Sequence, residues 1–194
     1  MILEKFRELK KTWNKDEVKS ISRRYFISNG VDGTLKAVGI TVGSYLSGVS
    51  TGATVFKVAA GAAVGLATSG VWSVWEIEKA EKLAQLHDLE ENMLKELEGT
   101  EIHQIKKQGR VVNAWARRSG PVLGVLMTAS PFLLDGILLN MFQSTAASVL
   151  MAVGLLFGFG VYMADISEQN WLKAGLRMGL AGLVVAALNI LLPG

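Results

Sequence analysis

The chain has no cysteine in its 194 residues, which excludes disulfide bonds and thiolate metal sites. It has only two histidines and contains no nucleophile elbow, phosphate-binding loop or zinc-protease motif, so we do not expect an enzyme. Proline is scarce as well, with 3 residues against 21 glycines. Because 50% of the residues are hydrophobic, this composition favours helices embedded in a membrane over a soluble core.

Long apolar runs are abundant. A helix needs roughly 20 apolar residues to cross the hydrocarbon layer of a bilayer. Runs of that length predict five transmembrane helices, at 27–49, 53–75, 119–140, 143–165 and 171–192. The residues between the second and third runs are polar and helical in pattern. They predict a cytoplasmic helical hairpin that turns near Gly99.

The expected fold class is therefore an all-α integral membrane protein. It has five transmembrane helices and a cytoplasmic helical hairpin between the second and the third. The chain divides into an amphipathic basic N-terminal helix (1–22), transmembrane helices 1 and 2 (23–75), a cytoplasmic Glu-rich helical domain (76–118) and transmembrane helices 3 to 5 (119–194).

The distribution of lysine and arginine predicts the orientation. These residues are frequent before the first run and within 76–118, and none lies in the connections near Ser50 and Gln143. The positive-inside rule then places the N-terminus and 76–118 in the cytoplasm and the C-terminus outside. The net charge of +3 needs no nucleic acid to explain it, because anionic lipid on the inner leaflet is a sufficient partner.

The apolar runs contain ionisable residues, among them Asp32, Lys36, Lys57 and Asp135. Spacing and depth predict two opposite-charge pairs, Asp32 with Lys36 along one helix and Lys57 with Asp135 across two helices. An unpaired charge at the bilayer centre costs about 3 kcal/mol, so these groups should face the bundle interior or water. We interpret them as a transport pathway. The alternative is a set of internal salt bridges that fix the register of the helices.

The predicted hairpin contains a candidate metal site. Glu90 lies within an apolar stripe, with His87 three residues before it and Glu91 after it, so one side of a helix offers imidazole nitrogen and carboxylate oxygen. Such ligands suit Fe²⁺, Mn²⁺ or Zn²⁺. The alternative is a solvated acidic face. A second acidic group near the turn comprises Glu98, Glu101 and His103.

Pairs of glycines spaced four residues apart predict close packing of the transmembrane helices. Such packing permits a compact bundle, and also a dimer. The pairs are Gly39 with Gly43, Gly61 with Gly65, Gly154 with Gly158, and Gly175 with Gly179.

From Arg23 onward the chain resembles the vacuolar iron transporter family. The resemblance rests on RRYFISNGVDG, KVAAGAAVGLA followed by a Glu-rich helix, SPFLLDG, and WLKAGLRMGLAGLVVAAL. It implies a five-span homodimer with the metal path at the dimer interface. It also implies a Glu-rich cytoplasmic domain that gathers ferrous ions, and exchange of Fe²⁺ or Mn²⁺ for protons.

The resemblance also assigns residues. Asp32 matches the aspartate of the family's first span, whereas Lys57 stands where a carboxylate is expected and Gly65 where a metal-binding methionine is expected. The positions that fall in the Glu-rich helix are Glu76, Glu78, Glu81, Glu90 and Glu91.

Three functions follow from these observations. The first is a transporter that moves Fe²⁺ or Mn²⁺ out of the cytoplasm in exchange for protons. The second is a transporter of the same fold with a non-metal or anionic substrate, because Lys36 and Lys57 attract anions. The third is a membrane scaffold without transport activity. We expect no prosthetic group, and the expected partners are membrane lipid, a second copy of the chain and the divalent metal ion itself.

Overall fold

A computed structural model of the protein describes residues 16–93 and 119–191. Within these two ranges the backbone is helical and contains no strand. The described residues form five helices. They are α1 (Asp16–Leu46), α2 (Gly52–Met93), α3 (Ser119–Leu134), α4 (Met141–Ile166) and α5 (Trp171–Leu191).

The contacts divide the chain into two compact units. One unit, called the bundle below, comprises Ile27–Leu66 and Gly120–Gly194. The other comprises Met1–Phe26 and Ala67–Ser119, and its described part consists of the first turns of α1 and the second half of α2. In that unit α2 exposes Trp72 and Ile77 to the surroundings.

Glycine ends the first helix of the bundle. Gly48 has a φ of +74°, a conformation that costs glycine little because it has no Cβ. Its N–H donates to the Tyr45 carbonyl, and the Val49 N–H donates back to the Ser44 carbonyl. This pair of bonds is a Schellman motif, which satisfies the last carbonyl groups of α1. The chain then reaches α2 in five residues.

The third helix ends earlier than predicted. Its last residues, Ser130–Leu134, form a 3-10 helix that contains Pro131, and a tight turn follows with Gly136 at a φ of +77°. The predicted span of 119–140 therefore included a turn. Proline cannot donate a backbone hydrogen bond and glycine here adopts a left-handed conformation, so the regular helix cannot continue although the sequence stays apolar.

The fourth and fifth helices form an antiparallel hairpin. Asn140 begins α4 with a capping box, in which its side chain accepts from the Gln143 N–H and the Gln143 side chain accepts from the Asn140 N–H. Farther along, Gly160 lies against the backbone of α5, where an added Cβ would stand 2.6 Å from the Ala174 carbonyl oxygen. The close approach of these two helices therefore requires glycine at this position.

The first helix contributes to both halves of the core. Ala37 packs with alanines of α2 and with Val125 and Ala129 of α3. Val38 and Val42 pack instead with Ala152 of α4 and Ala186 of α5. Adjacent positions on α1 therefore face different neighbours, and α1 joins the α2–α3 side of the bundle to the α4–α5 side. Small side chains dominate these contacts, as expected where helices pack closely without a hydrophobic driving force.

Three of the described helices are long and apolar enough to cross a membrane, namely Gly52–Glu81 within α2, all of α4 and all of α5. The large apolar side chains Leu150, Leu180 and Leu188 are more than half exposed on α4 and α5. Contiguous exposed apolar surface of this kind marks contact with a membrane or a partner. The membrane nature of the fold is thus supported, whereas crossing by α1 and by the shorter α3 stays a prediction.

The predicted spans agree best with the structure at α4 and α5. The runs 143–165 and 171–192 lie within two residues of Met141–Ile166 and Trp171–Leu191. The second run continues as helix into the polar segment, as predicted, up to Met93. The turn and second helix of the predicted hairpin lie outside the described residues.

Candidate functional site

An ion pair lies on the surface of the bundle. Lys36 and Asp32 are one turn apart on α1, and Lys36 Nζ lies 2.6 Å from Asp32 Oδ2. The predicted pairing along one helix is therefore present. About half of each side chain is exposed, 50% for Lys36 and 53% for Asp32, although the neighbouring residues Gly33, Thr34 and Ala37 are buried.

The position of this pair follows from helical geometry. Side chains four residues apart lie on the same face of a helix, and Ser28, Asp32 and Lys36 are all exposed on α1. The helix rises about 1.5 Å per residue, which places Lys36 roughly 14 Å beyond Ile27, the first residue of the bundle. A single copy of the bundle thus presents both charges on its outer surface.

The predicted pair between Lys57 and Asp135 is not formed within the described residues. Asp135 Oδ2 instead accepts a hydrogen bond from the Gly52 N–H at 2.7 Å. The early end of α3 is the reason, because the extended backbone at Asp135 (φ −62°, ψ 133°) brings its carboxylate to the first turn of α2. Asp135 therefore caps α2, a role that the sequence analysis missed.

Lys57 belongs to an exposed stripe on α2. It lies four residues before Gly61, which lies four before Gly65, and all three are exposed. A Cβ added at either glycine would meet no atom within 4 Å. The opposite face, with Ala59 and Ala63, packs on α1 and α3. The predicted Gly61–Gly65 ridge is thus present, but it packs against nothing in the described chain.

The other glycine pairs differ in their surroundings. Gly175 and Gly179 lie against Phe157 and Val153 of α4, so this pair packs as predicted. Gly39 faces the Asn189 side chain of α5. The remaining predicted positions have no atom within 4 Å of an added Cβ, within the residues that the structure describes; they are Gly43, Gly154 and Gly158.

Buried hydroxyl groups form a second polar feature that the sequence analysis did not identify. Ser148 Oγ on α4 donates to Thr41 Oγ1 on α1 at 3.2 Å, and Thr41 Oγ1 donates to the Val38 carbonyl. Two further hydroxyls, Thr128 Oγ1 and Ser144 Oγ, are buried and hydrogen-bond to no described residue. Single serines and threonines in apolar runs give no sequence signal for such contacts.

The candidate metal ligands of the polar segment are placed only in part. Glu76 and Glu81 are exposed on α2. The side chains of Glu78, His87, Glu90 and Glu91 lie outside the described residues, although their backbone belongs to α2, and Glu98 lies outside altogether. Among the side chains that the structure describes, no three acidic or histidine residues are grouped to hold a metal ion.

Comparison with curated proteins gives a distant similarity. The chain is 23% identical over 168 residues to a curated protein of Methanocaldococcus jannaschii named uncharacterized protein MJ0645, and the match covers 85% of each chain. No family model matches the chain, and no solved structure gives a significant match.

Proposed function

We propose that the protein is a membrane transporter of divalent metal ions and that its pathway follows the exposed polar face of α1. The observation that carries the proposal is the Asp32–Lys36 ion pair on the surface of the bundle. Ionisable groups in membrane helices almost always face a bundle interior or a water-filled cavity. Since this pair is exposed in a single copy of the chain, a polar cavity beside α1 must be completed by something else.

A second copy of the chain is the partner that best completes this cavity. Gly61 and Gly65 form an exposed small-residue ridge on α2. The opposite face of α2 packs directly on α1. Small residues of this spacing permit close approach of another helix. We therefore propose a homodimer in which the α1 and α2 surfaces of two copies face each other and enclose Asp32.

The proposed substrate is Fe²⁺ or Mn²⁺, as the family resemblance implies. Asp32 would supply the carboxylate oxygen that such an ion requires, and protons would move in the opposite direction. All five helices cross the membrane in this proposal. The N-terminus and 76–118 lie in the cytoplasm, where the glutamates of the polar segment would collect the ion before it enters the pathway.

Transport by purified protein in liposomes tests the proposal. Entry of Fe²⁺ or Mn²⁺ would be followed with an entrapped fluorescent chelator. We expect Asp32→Asn to lower the initial rate at least roughly tenfold, since it removes the carboxylate charge with little change in volume. Asp165→Asn is the matched control, because it neutralises an exposed acid at the end of α4. An unchanged rate in Asp32→Asn would rule out this pathway.

A transporter of the same fold with a non-metal or anionic substrate is the second candidate. Lys36 neutralises Asp32, and Lys57 is exposed on α2 without an ion pair among the described residues. Both lysines repel a divalent cation. Lys57→Gln separates the two candidates, since removing this charge should raise the flux of a divalent metal and lower the flux of an anion.

A further inference from the structure

An open cavity of about 360 Å³ lies on the surface of the bundle at the start of α5. Its lining combines two cations with two amides and contains no carboxylate. The residues that line it are Gln169, Asn170, Lys173, Ala174 and Arg177. Its volume falls at the lower end of the range for sites that hold small molecules, about 300 to 1,000 Å³. A group of head-group size fits such a space better than a whole lipid.

The two cations converge on this cavity. Lys173 and Arg177 are four residues apart on α5 and so share a face of the helix. Side chains on a helix lean toward its N-terminus, which directs both toward the turn that precedes α5. The nearest acids in sequence, Asp165 and Glu168, form no ion pair with either cation, and neither cation has another ion pair among the described residues.

The amide of Asn170 is oriented by the start of the helix. Its Oδ1 accepts from the N–H groups of Leu172 and Lys173 at 3.1 and 3.3 Å. The side-chain nitrogen Nδ2, which can only donate, is left without an acceptor among the described residues. Asn170, Lys173 and Arg177 therefore offer hydrogen-bond donors from three side chains, and a tetrahedral oxyanion is the ligand that accepts from all of them.

The surroundings of the cavity are those of a membrane boundary. Trp171 is exposed, with its ring edge-on to Phe157 at a centroid distance of 6.5 Å. Tryptophan prefers the head-group layer of a bilayer. Leu172 and Leu176, on the same turns of α5 as the cations, are also exposed and continue the apolar surface of the helix. A ligand with a charged head and apolar chains can contact both the cations and the exposed apolar side chains. A free inorganic anion can contact only the cations and amides.

Arg177 strengthens this argument. It lies about 9 Å along α5 from Trp171, at 1.5 Å per residue, inside a helix that is apolar enough to span the membrane. An unpaired cation in such a position is costly. We infer that the cavity binds the phosphate group of an anionic membrane phospholipid, held by Lys173 and Arg177. This inference needs only the membrane setting of α4 and α5 and does not depend on the transported substrate.

Native mass spectrometry and thermal unfolding of the detergent-purified protein test the inference. The probes are phosphatidylglycerol, phosphatidylcholine and inorganic phosphate. We expect phosphatidylglycerol to be retained and to raise the melting temperature more than phosphatidylcholine does. In Lys173→Gln/Arg177→Gln we expect its apparent affinity to fall at least roughly tenfold, since two charge-assisted contacts are lost. The charge-retaining variant Lys173→Arg/Arg177→Lys should keep most of the affinity for phosphatidylglycerol.

A second double variant controls for net charge. Arg24→Gln/Lys79→Gln removes the same two charges from exposed positions outside the bundle, and it should bind phosphatidylglycerol as the unmodified protein does. An equal loss of affinity in both double variants would overturn the inference, because it would show attraction by net charge alone. Stabilisation by inorganic phosphate that matches the lipid would also overturn it. Equal retention of phosphatidylglycerol and phosphatidylcholine by the unmodified protein would also overturn the inference.

Discussion

The contact between α4 and α5 allows a sharp test with two glycines of one helix. Gly160→Ala places a methyl group 2.6 Å from the Ala174 carbonyl oxygen and 2.9 Å from the Gly175 Cα, both backbone atoms of α5. Restoring an ordinary contact of 3.4 Å requires α5 to move by roughly 0.8 Å. Because backbone cannot rotate away as a side chain can, we expect a loss of about 1 to 3 kcal/mol in the free energy of unfolding.

Gly158→Ala is the matched control. Gly158 lies on the same helix two residues earlier, and its added Cβ would meet no atom within 4 Å. Alanine is the better helix former by about 0.5 to 1 kcal/mol, so this variant should be slightly more stable than the unmodified protein. Gly154→Ala, one turn earlier and also without a neighbour, should behave as Gly158→Ala does.

The assay is unfolding in mixed detergent micelles by titration with a denaturing detergent, followed by far-ultraviolet circular dichroism. The two variants should shift the midpoint in opposite directions. A loss of stability in Gly158→Ala as large as that in Gly160→Ala would refute the reasoning. It would mean that the outer face of α4 is also in close contact with another helix, which the single chain does not show.

Changes at three further positions address polar contacts. Asp135→Ala removes the acceptor for the Gly52 N–H and should lower the free energy of unfolding by about 1 kcal/mol. Asp135→Asn keeps an acceptor and should keep most of the stability. Equal losses in the two variants would mean that the charge of Asp135 matters rather than its hydrogen bond to α2. Thr128→Val removes a buried hydroxyl without a described partner and should raise the melting temperature. Thr41→Val should lower it, because Ser148 then loses its acceptor; a rise in both valine variants would contradict the assigned hydrogen bonds.

The parts of the fold that sequence predicted well depend on local patterns. The Asp32–Lys36 pair needs only the four-residue spacing of one helix, and this pair is present as predicted. The helices α4 and α5 were predicted to within two residues. Both are long, predominantly apolar helices that begin beside polar residues, Asn140 and Asn170, whose side chains accept hydrogen bonds from the first turns.

The parts that sequence missed depend on where helices end and on their partners. The segment SPFLLDG and the residues after it are mostly apolar, so hydropathy alone gave no sign of the turn at Asp135. The predicted pair of Lys57 with Asp135 was wrong for the same reason, because the prediction assumed that α3 continues as a straight helix to residue 140. The sequence also could not predict which glycine ridges pack inside the bundle. The four-residue spacing shows that two glycines share a face of a helix, but it does not show which helix packs on that face. The Glu-rich metal site stays a prediction.

The dual packing of α1 has a consequence for biosynthesis. Ala152 and Ala186, which contact the Val38–Val42 face, emerge from the ribosome more than 100 residues after that face does. A nascent chain that ends before α4 has its most polar helix packed on one side only. We expect such a helix to remain with the insertion machinery until α4 and α5 follow. Truncation before α4 should therefore leave a chain that is degraded rather than inserted as a smaller bundle.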